Sequence, residues 1–173
     1  MNLIDRFGDL FQLSYVTADR DRAVEHAKAR LGIENFFVFD AAAPVVSRGT
    51  QQELSLRVAV ANTGTHQFEI IEPVSGPTWI YTDGKDLGSQ ELVLHHVGIA
   101  VVGAYALWKE TIAQIEADGD EIVQISALEP GAEPQAMFAY VDNRATLGHF
   151  TEYLWWSPAM NGTPTMPAIR QGE

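Results

Sequence analysis

One order of elements occurs twice along the chain, and that repetition constrains the fold more than any other feature. Residues 11–17, FQLSYVT, read as a strand. ADRDRAVEHAKARLGI follows as an amphipathic helix with Ala23, Ala27 and Leu31 four apart, Thr17 as cap and Gly32 as stop. NFFVFD is a second strand, APVVSRG a loop, and QELSLRVAVAN a third strand with Leu54, Leu56, Val58 and Val60 on one face. TGT turns the chain and HQFEIIEP returns as the fourth strand. After residues 74–90 the order recurs. LVLHHVGIAV is a strand, and GAYALWKETIAQIEADG a helix with Ala104, Leu107, Trp108, Ile112 and Ile115 on one face. EIVQISAL, MFAYVD and HFTEYLWW are strands, with EPGAEPQ a loop and NRATLG a turn between them. Each half therefore reads βαβββ. The predicted organisation is one α+β domain over residues 1–173, built from modules 10–73 and 91–156. Residues 74–90 form a linker carrying the exposed-looking aromatics Trp79 and Tyr81, and tail 157–173 runs over the surface.

Four strands carry a polar residue among apolar neighbours: Gln12, Glu69, His96 and Glu152. Gln12 and His96 are 84 positions apart, and Glu69 and Glu152 are 83 apart, close to the period of the duplicated architecture. A two-fold arrangement of the modules would bring such pairs together near its axis. One imidazole, two carboxylates and an amide oxygen make an N/O donor set suited to a divalent metal. Coordination positions left open to water or substrate mark a catalytic metal. Each residue alone has a plainer reading: His96 as a hydrogen-bonded strand residue, and Glu69 and Glu152 as solvent-facing ones. The joint spacing favours the metal. Alternation sets Leu94, His96, Gly98 and Ala100 on one face and His95, Val97, Ile99 and Val101 on the other. His96, beside small residues, is the ligand candidate. His95, on the bulky face, is structural.

Composition removes several function classes. The net charge of −12 argues against nucleic acid and anionic membranes as partners, because phosphates need Lys and Arg. With no cysteine, there is no disulfide, thiolate zinc site or cysteine nucleophile. The N-terminus lacks the pattern of a signal peptide, and no apolar run approaches the roughly 20 residues of a spanning helix. The chain reads as cytoplasmic.

LHHVGIAV with its following helix, FEIIEP before a Gly-Pro linker, and YVDNRATLGHFTEYLWW resemble the vicinal oxygen chelate superfamily over residues 10–156. That superfamily includes glyoxalase I, methylmalonyl-CoA epimerase, extradiol dioxygenases and bleomycin-resistance proteins. The resemblance implies paired βαβββ modules in an open, cup-shaped, glyoxalase-like barrel around one metal. By position its ligands fall on Gln12, Glu69, His96 and Glu152, a set like that of zinc-type glyoxalase I. Zn is the first expectation, with Ni, Co, Mn and Fe also compatible. Epimerase relatives commonly have His at the position of Gln12. The DP-D-G type turn and the ELT motif of glyoxalase I are absent; DNRATLGH and the EP-SGP linker look more like the epimerase branch.

The resemblance also implies an activity: proton transfer at a carbon next to a carbonyl, as an isomerase, epimerase or lyase, through a metal-stabilised enediolate. Glu152 is then the base, and Glu69 a ligand and partner base on the opposite substrate face. Tyr140 and His149 are candidates for substrate contact, and Trp79 and Tyr81 for a lid. The partner is a small-molecule substrate, and a homodimer is compatible with the Pro- and Met-containing tail. Two alternatives stand: a metal-free protein of the same fold that sequesters a small molecule, and a ring-cleaving dioxygenase. The latter is disfavoured by a single His among the four positions.

Overall fold

In the computed structural model the described residues are 10–64, 66–128 and 131–168. Thr65 of the expected turn, Glu129 and Pro130 of the expected loop, the first nine residues and the last five of the expected tail lie outside them. The first half supplies Leu10–Val16 (β1), Arg20–Leu31 (α1), Phe37–Ser47 (β2), Thr50–Asn62 (β3) and Gln67–Ser75 (β4). A short helix, Trp79–Thr82 (α2), follows. The second half supplies Val93–Ala100 (β5), Tyr105–Ala117 (α3), Ile122–Ser126 (β6), Ala136–Asn143 (β7), Arg144–Leu147 (α4) and His149–Trp156 (β8). The strands pair in the order β1-β4-β3-β2-β6-β7-β8-β5 and the ladder closes into a barrel. The two βαβββ modules meet along the antiparallel β1–β5 pair and the antiparallel β2–β6 pair. Within the modules, β1–β4 and β5–β8 are parallel.

Small residues let α1 approach the sheet closely. Ala23, Val24 and Ala27 pack on Ala59 and Ile70. Its cap is Asp19, whose carboxylate accepts the Arg22 N–H, in place of the expected Thr17; Gly32 closes the helix at φ 69°. In the second half, Trp108 and Ile115 of α3 cover Ile99, Val141, Tyr153 and Trp155. Both helices sit outside, so the inward-facing positions of the strands are left for the core and the site.

Three expectations need correction. APVVSRG is mostly strand: β2 runs to Ser47 and turns into β3 through Arg48 and Gly49, both at positive φ, the hairpin conformation whose twist suits the flanking strands. Pro44 is tolerated because the β2–β6 ladder begins only at Val45. The linker is not an exposed loop. Ile80 and Tyr81 of α2 are fully buried in a core with Val16, Val45, Leu54, Ile71, Tyr140 and Phe150. Trp79 is half-buried, donates to Ser47 Oγ and stacks under Arg48. Gly and Pro around these aromatics disguise a plug for one end of the barrel. The tail does not simply run over the surface either. Met160 and Met166 pack on Phe11, Ala100, Leu154 and Trp156 at the opposite end.

Candidate functional site

Two matching bulges build the site. In the β1–β5 ladder Leu10 pairs with Ile99 and Gln12 with Gly98, leaving Phe11 as an extra residue in β1. Ser14 pairs with His96 and Tyr15 with Leu94, leaving His95 as an extra residue in β5. Phe11 and His95 are again 84 positions apart. A bulge interrupts alternation, so two consecutive side chains can be buried on one side. This corrects the assignment of His95 to the face of Val97, Ile99 and Val101, while its structural role stands. It packs inside, stacked on Tyr81 at 4.7 Å between ring centres and beside Phe150 and Tyr140.

The four residues singled out by spacing converge. Around His96 Nε2 lie Gln12 Oε1 at 3.0 Å, Glu152 Oε2 at 3.3 Å and Glu69 Oε2 at 3.5 Å. Parallel pairing explains the carboxylates: Ser14 is opposite Glu69, and Gly98 is opposite Glu152, the same step in each module. Gln12, His96 and Glu152 are buried, and the Glu69 side chain is 14% exposed. Gly98 leaves the space that Gln12 fills. A Cβ there would stand 2.8 Å from both Gln12 Cβ and Gln12 Oε1.

Two backbone carbonyls fix the polarity of the whole network. His95 Nε2 lies 3.1 Å from the Ile80 carbonyl, which only accepts, so Nε2 carries the proton. Burial, reinforced by His96, pushes the His95 pKa well below its ordinary value, so the ring is neutral and Nδ1 is an acceptor. His96 Nδ1–H therefore donates to it across 2.8 Å. From the other side, Gln67 Nε2 donates to the Thr165 carbonyl at 3.1 Å, so Gln67 Oε1 accepts from Gln12 Nε2 at 2.7 Å. Gln12 then presents its oxygen to His96. A neutral His96 would aim the Nε2 lone pair at three oxygens. The geometry calls for positive charge at this point, either a proton on Nε2 or a cation among the four donors.

The carboxylates feel that demand. Burial pushes the Glu69 carboxyl up to about 7, with His96 pulling it down and Glu152 pushing it up. Burial, with the nearby Glu152, raises the Tyr140 phenol well above its usual range.

Gln12, Glu69, Tyr140 and Glu152 line a cavity of about 460 Å³, within the range of small-molecule sites. One end of the barrel is closed by α2 and its aromatics; the cavity occupies the other, beneath Met160, Thr165 and Met166. Of the other residues singled out, Tyr140 and Tyr81 reach the cavity. His149 does not line it and donates to the Phe150 carbonyl instead. Gln67, which orients Gln12, escaped sequence reasoning. Its signal was its place in β4, two residues before Glu69 and on the same face.

No protein-family model and no curated protein sequence matches the chain. Solved structures do. Hypothetical protein BH1468 from Bacillus halodurans C-125 is similar at 18% identity and TM-score 0.53, over 86% of this chain and 94% of that one. A methylmalonyl-CoA epimerase in complex with methylmalonyl-CoA and NH4+ is similar at 16% identity and TM-score 0.50, over 87% and 95%. The Streptomyces coelicolor methylmalonyl-CoA epimerase is similar at 16% identity and TM-score 0.49, over 86% and 97%. With its duplicated βαβββ order and eight-stranded mixed barrel, the chain has the vicinal oxygen chelate fold.

Proposed function

We propose that the protein is a metal-dependent enzyme that moves a proton at a carbon next to a carbonyl, with Gln12, Glu69, His96 and Glu152 holding the metal. One observation carries this reading: hydrogen-bond polarity, anchored at Ile80 and Thr165, leaves His96 Nε2 facing three oxygens. The spacings support it. Ligands at about 2.1 Å from one metal, at right-angled to tetrahedral separations, lie about 3.0–3.4 Å from one another. Of the three separations from His96 Nε2, 3.0 and 3.3 Å fall in that range and 3.5 Å just beyond it. The N/O set suits Zn first, with Ni, Co, Mn and Fe(II) compatible. A bound divalent ion would supply Lewis-acid polarisation of a substrate carbonyl.

The chain's own residues do the rest. His95 fixes the His96 tautomer, as an outer-shell acceptor does for a ligand imidazole. Gln12 contributes an oxygen without charge. Glu69 and Glu152 both line the cavity, so either carboxylate can meet a substrate held there. Glu69 and Glu152 reach His96 from strands of opposite modules, which makes Glu69 a base candidate alongside Glu152. Two bases on opposite substrate faces would support isomerisation or epimerisation.

The test is metal analysis of protein purified without chelator, with His96→Ala and Glu152→Gln beside it. It is joined to deuterium exchange of the α-proton of 2-hydroxyacetophenone in D2O. Near-stoichiometric metal that both variants lose, with exchange only in the loaded wild type, is the expected result. No metal after reconstitution would refute the reading. A metal-free binding protein is the second reading, with the same three oxygens gathered around His96 Nε2. In that case a proton on His96 supplies the charge.

A further inference from the structure

We infer that the substrate is an uncharged small molecule with an apolar body, and not a carboxylate or a phosphate-bearing thioester. This rests on the proposed proton-transfer site and names what enters it. The cavity is walled by Leu56, Val58, Phe138, Leu154, Met160 and Met166, and among the described residues none that lines it is Lys or Arg. Its ionisable carboxyls are Glu69 and Glu152 inside, with Asp40 at its border. The guanidinium groups of Arg20 and Arg57 are held in carboxylate pairs, at the border through Asp40. Arg20 pairs with Asp21 and Asp40, and Arg57 with Glu72 and Asp21. Lys85 and Arg144 lie over the Phe150 ring, in the core of the plugged end.

Charge counting leads to the same class. A divalent ion held by two carboxylates is formally neutral. It has no surplus charge to attract a ligand that arrives as an anion, and a carboxylate buried without a partner is costly. A coenzyme A thioester would also need Lys or Arg for its phosphates. The charged group at the border is Asp40, which Arg20 and Arg57 already pair, on a chain of net charge −12. The methionines of the roof suit a variable apolar body, because an unbranched thioether repacks readily.

Mandelamide and mandelate test this directly. They share a skeleton and vicinal oxygens and differ in charge. Titration calorimetry on zinc-loaded and zinc-free protein should find mandelamide bound at least about tenfold more tightly in both forms. The comparison is stringent because zinc itself favours a carboxylate over an amide. Met166→Lys should shift the preference toward mandelate, raising the mandelate-to-mandelamide affinity ratio about threefold or more. Equal or tighter binding of mandelate to the wild type, tight binding of acetyl-coenzyme A, or no binding of mandelamide at millimolar concentration would each overturn the inference. Failure of the metal reading is separable: zinc would not bind, while the preference for the amide in zinc-free protein would persist.

Discussion

Replacing Gly98 with alanine should damage stability and site together. Gly98 lies between Gln12 on β1 and Glu152 on β8, directly paired with both. An added Cβ meets Gln12 Cβ and Oε1 at 2.8 Å and Phe11 Cε1 at 3.1 Å. Carbon–carbon contact is comfortable only at about 3.5–4.0 Å, so Gln12 must shift. Its amide cannot shift alone. Gln67 holds its nitrogen at 2.7 Å, and its oxygen faces His96. Overpacking of this kind costs about 1–3 kcal/mol. For a domain of this size each kcal/mol lowers Tm by about 2–4 °C, so a fall of about 2–12 °C is expected. Zinc affinity, measured by competition with a chromophoric chelator, should fall with it. Gly88→Ala is the control: its Cβ meets nothing closer than Asp86 Oδ1 at 3.6 Å, so Tm should hold or rise slightly. Unchanged Tm and unchanged zinc affinity in Gly98→Ala would refute the claim that this glycine makes room for Gln12.

Three further outcomes follow from the network. His95→Phe keeps an aromatic ring beside Tyr81 but strands a buried His96 N–H; stability should fall by about 1–3 kcal/mol in urea denaturation, and zinc affinity about 10–100-fold. Glu69 binds its proton more tightly in the folded chain than at its ordinary 4.5. The stability it gives the metal-free protein is therefore complete below pH 4.5 and is lost as pH rises to about 7. The loss is on the order of 3 kcal/mol at most, and Glu69→Gln should flatten that part of the stability-versus-pH curve. A chain ending at Ser157 loses Met160, Met166 and the Gln67–Thr165 bond. It should lose about 2 kcal/mol from the two half-buried side chains and bind an apolar dye that the intact chain excludes.

How much of this was legible in the sequence depended on how local each signal is. The βαβββ order was readable because alternation and helix periodicity are set within a few residues. The 83–84 spacing was readable because duplication preserves the register of inward-facing positions, so Gln12, Glu69, His96 and Glu152 could be paired before any contact was known. The bulges were not readable. An extra residue in a ladder leaves no mark in composition, and strict alternation therefore sent His95 to the wrong face. The linker was misread for a related reason. Gly and Pro around Trp79–Thr82 report a turn, while the burial of Ile80 and Tyr81 depends on an empty barrel end that exists only after closure. Gln67 escaped because its module-two counterpart is Phe150, so no matching polar residue flagged it.

That last mismatch explains how a nearly two-fold scaffold acquires a one-sided site. The same register position holds Gln67 in one module and Phe150 in the other. Phe150 joins His95, Tyr81 and Tyr140 in a packed aromatic plug. Gln67 instead turns the Gln12 amide and ties the tail through Thr165. Each end of the barrel is thus covered by the segment that trails one module, α2 after β4 and the tail after β8, and each segment anchors the network through one carbonyl. Aromatic packing at one end excludes a ligand. At the other, two amides and two methionines leave about 460 Å³. Divergence at a few inward-facing positions is enough to turn a symmetric core into a pocket lined by Gln12, Glu69 and Glu152.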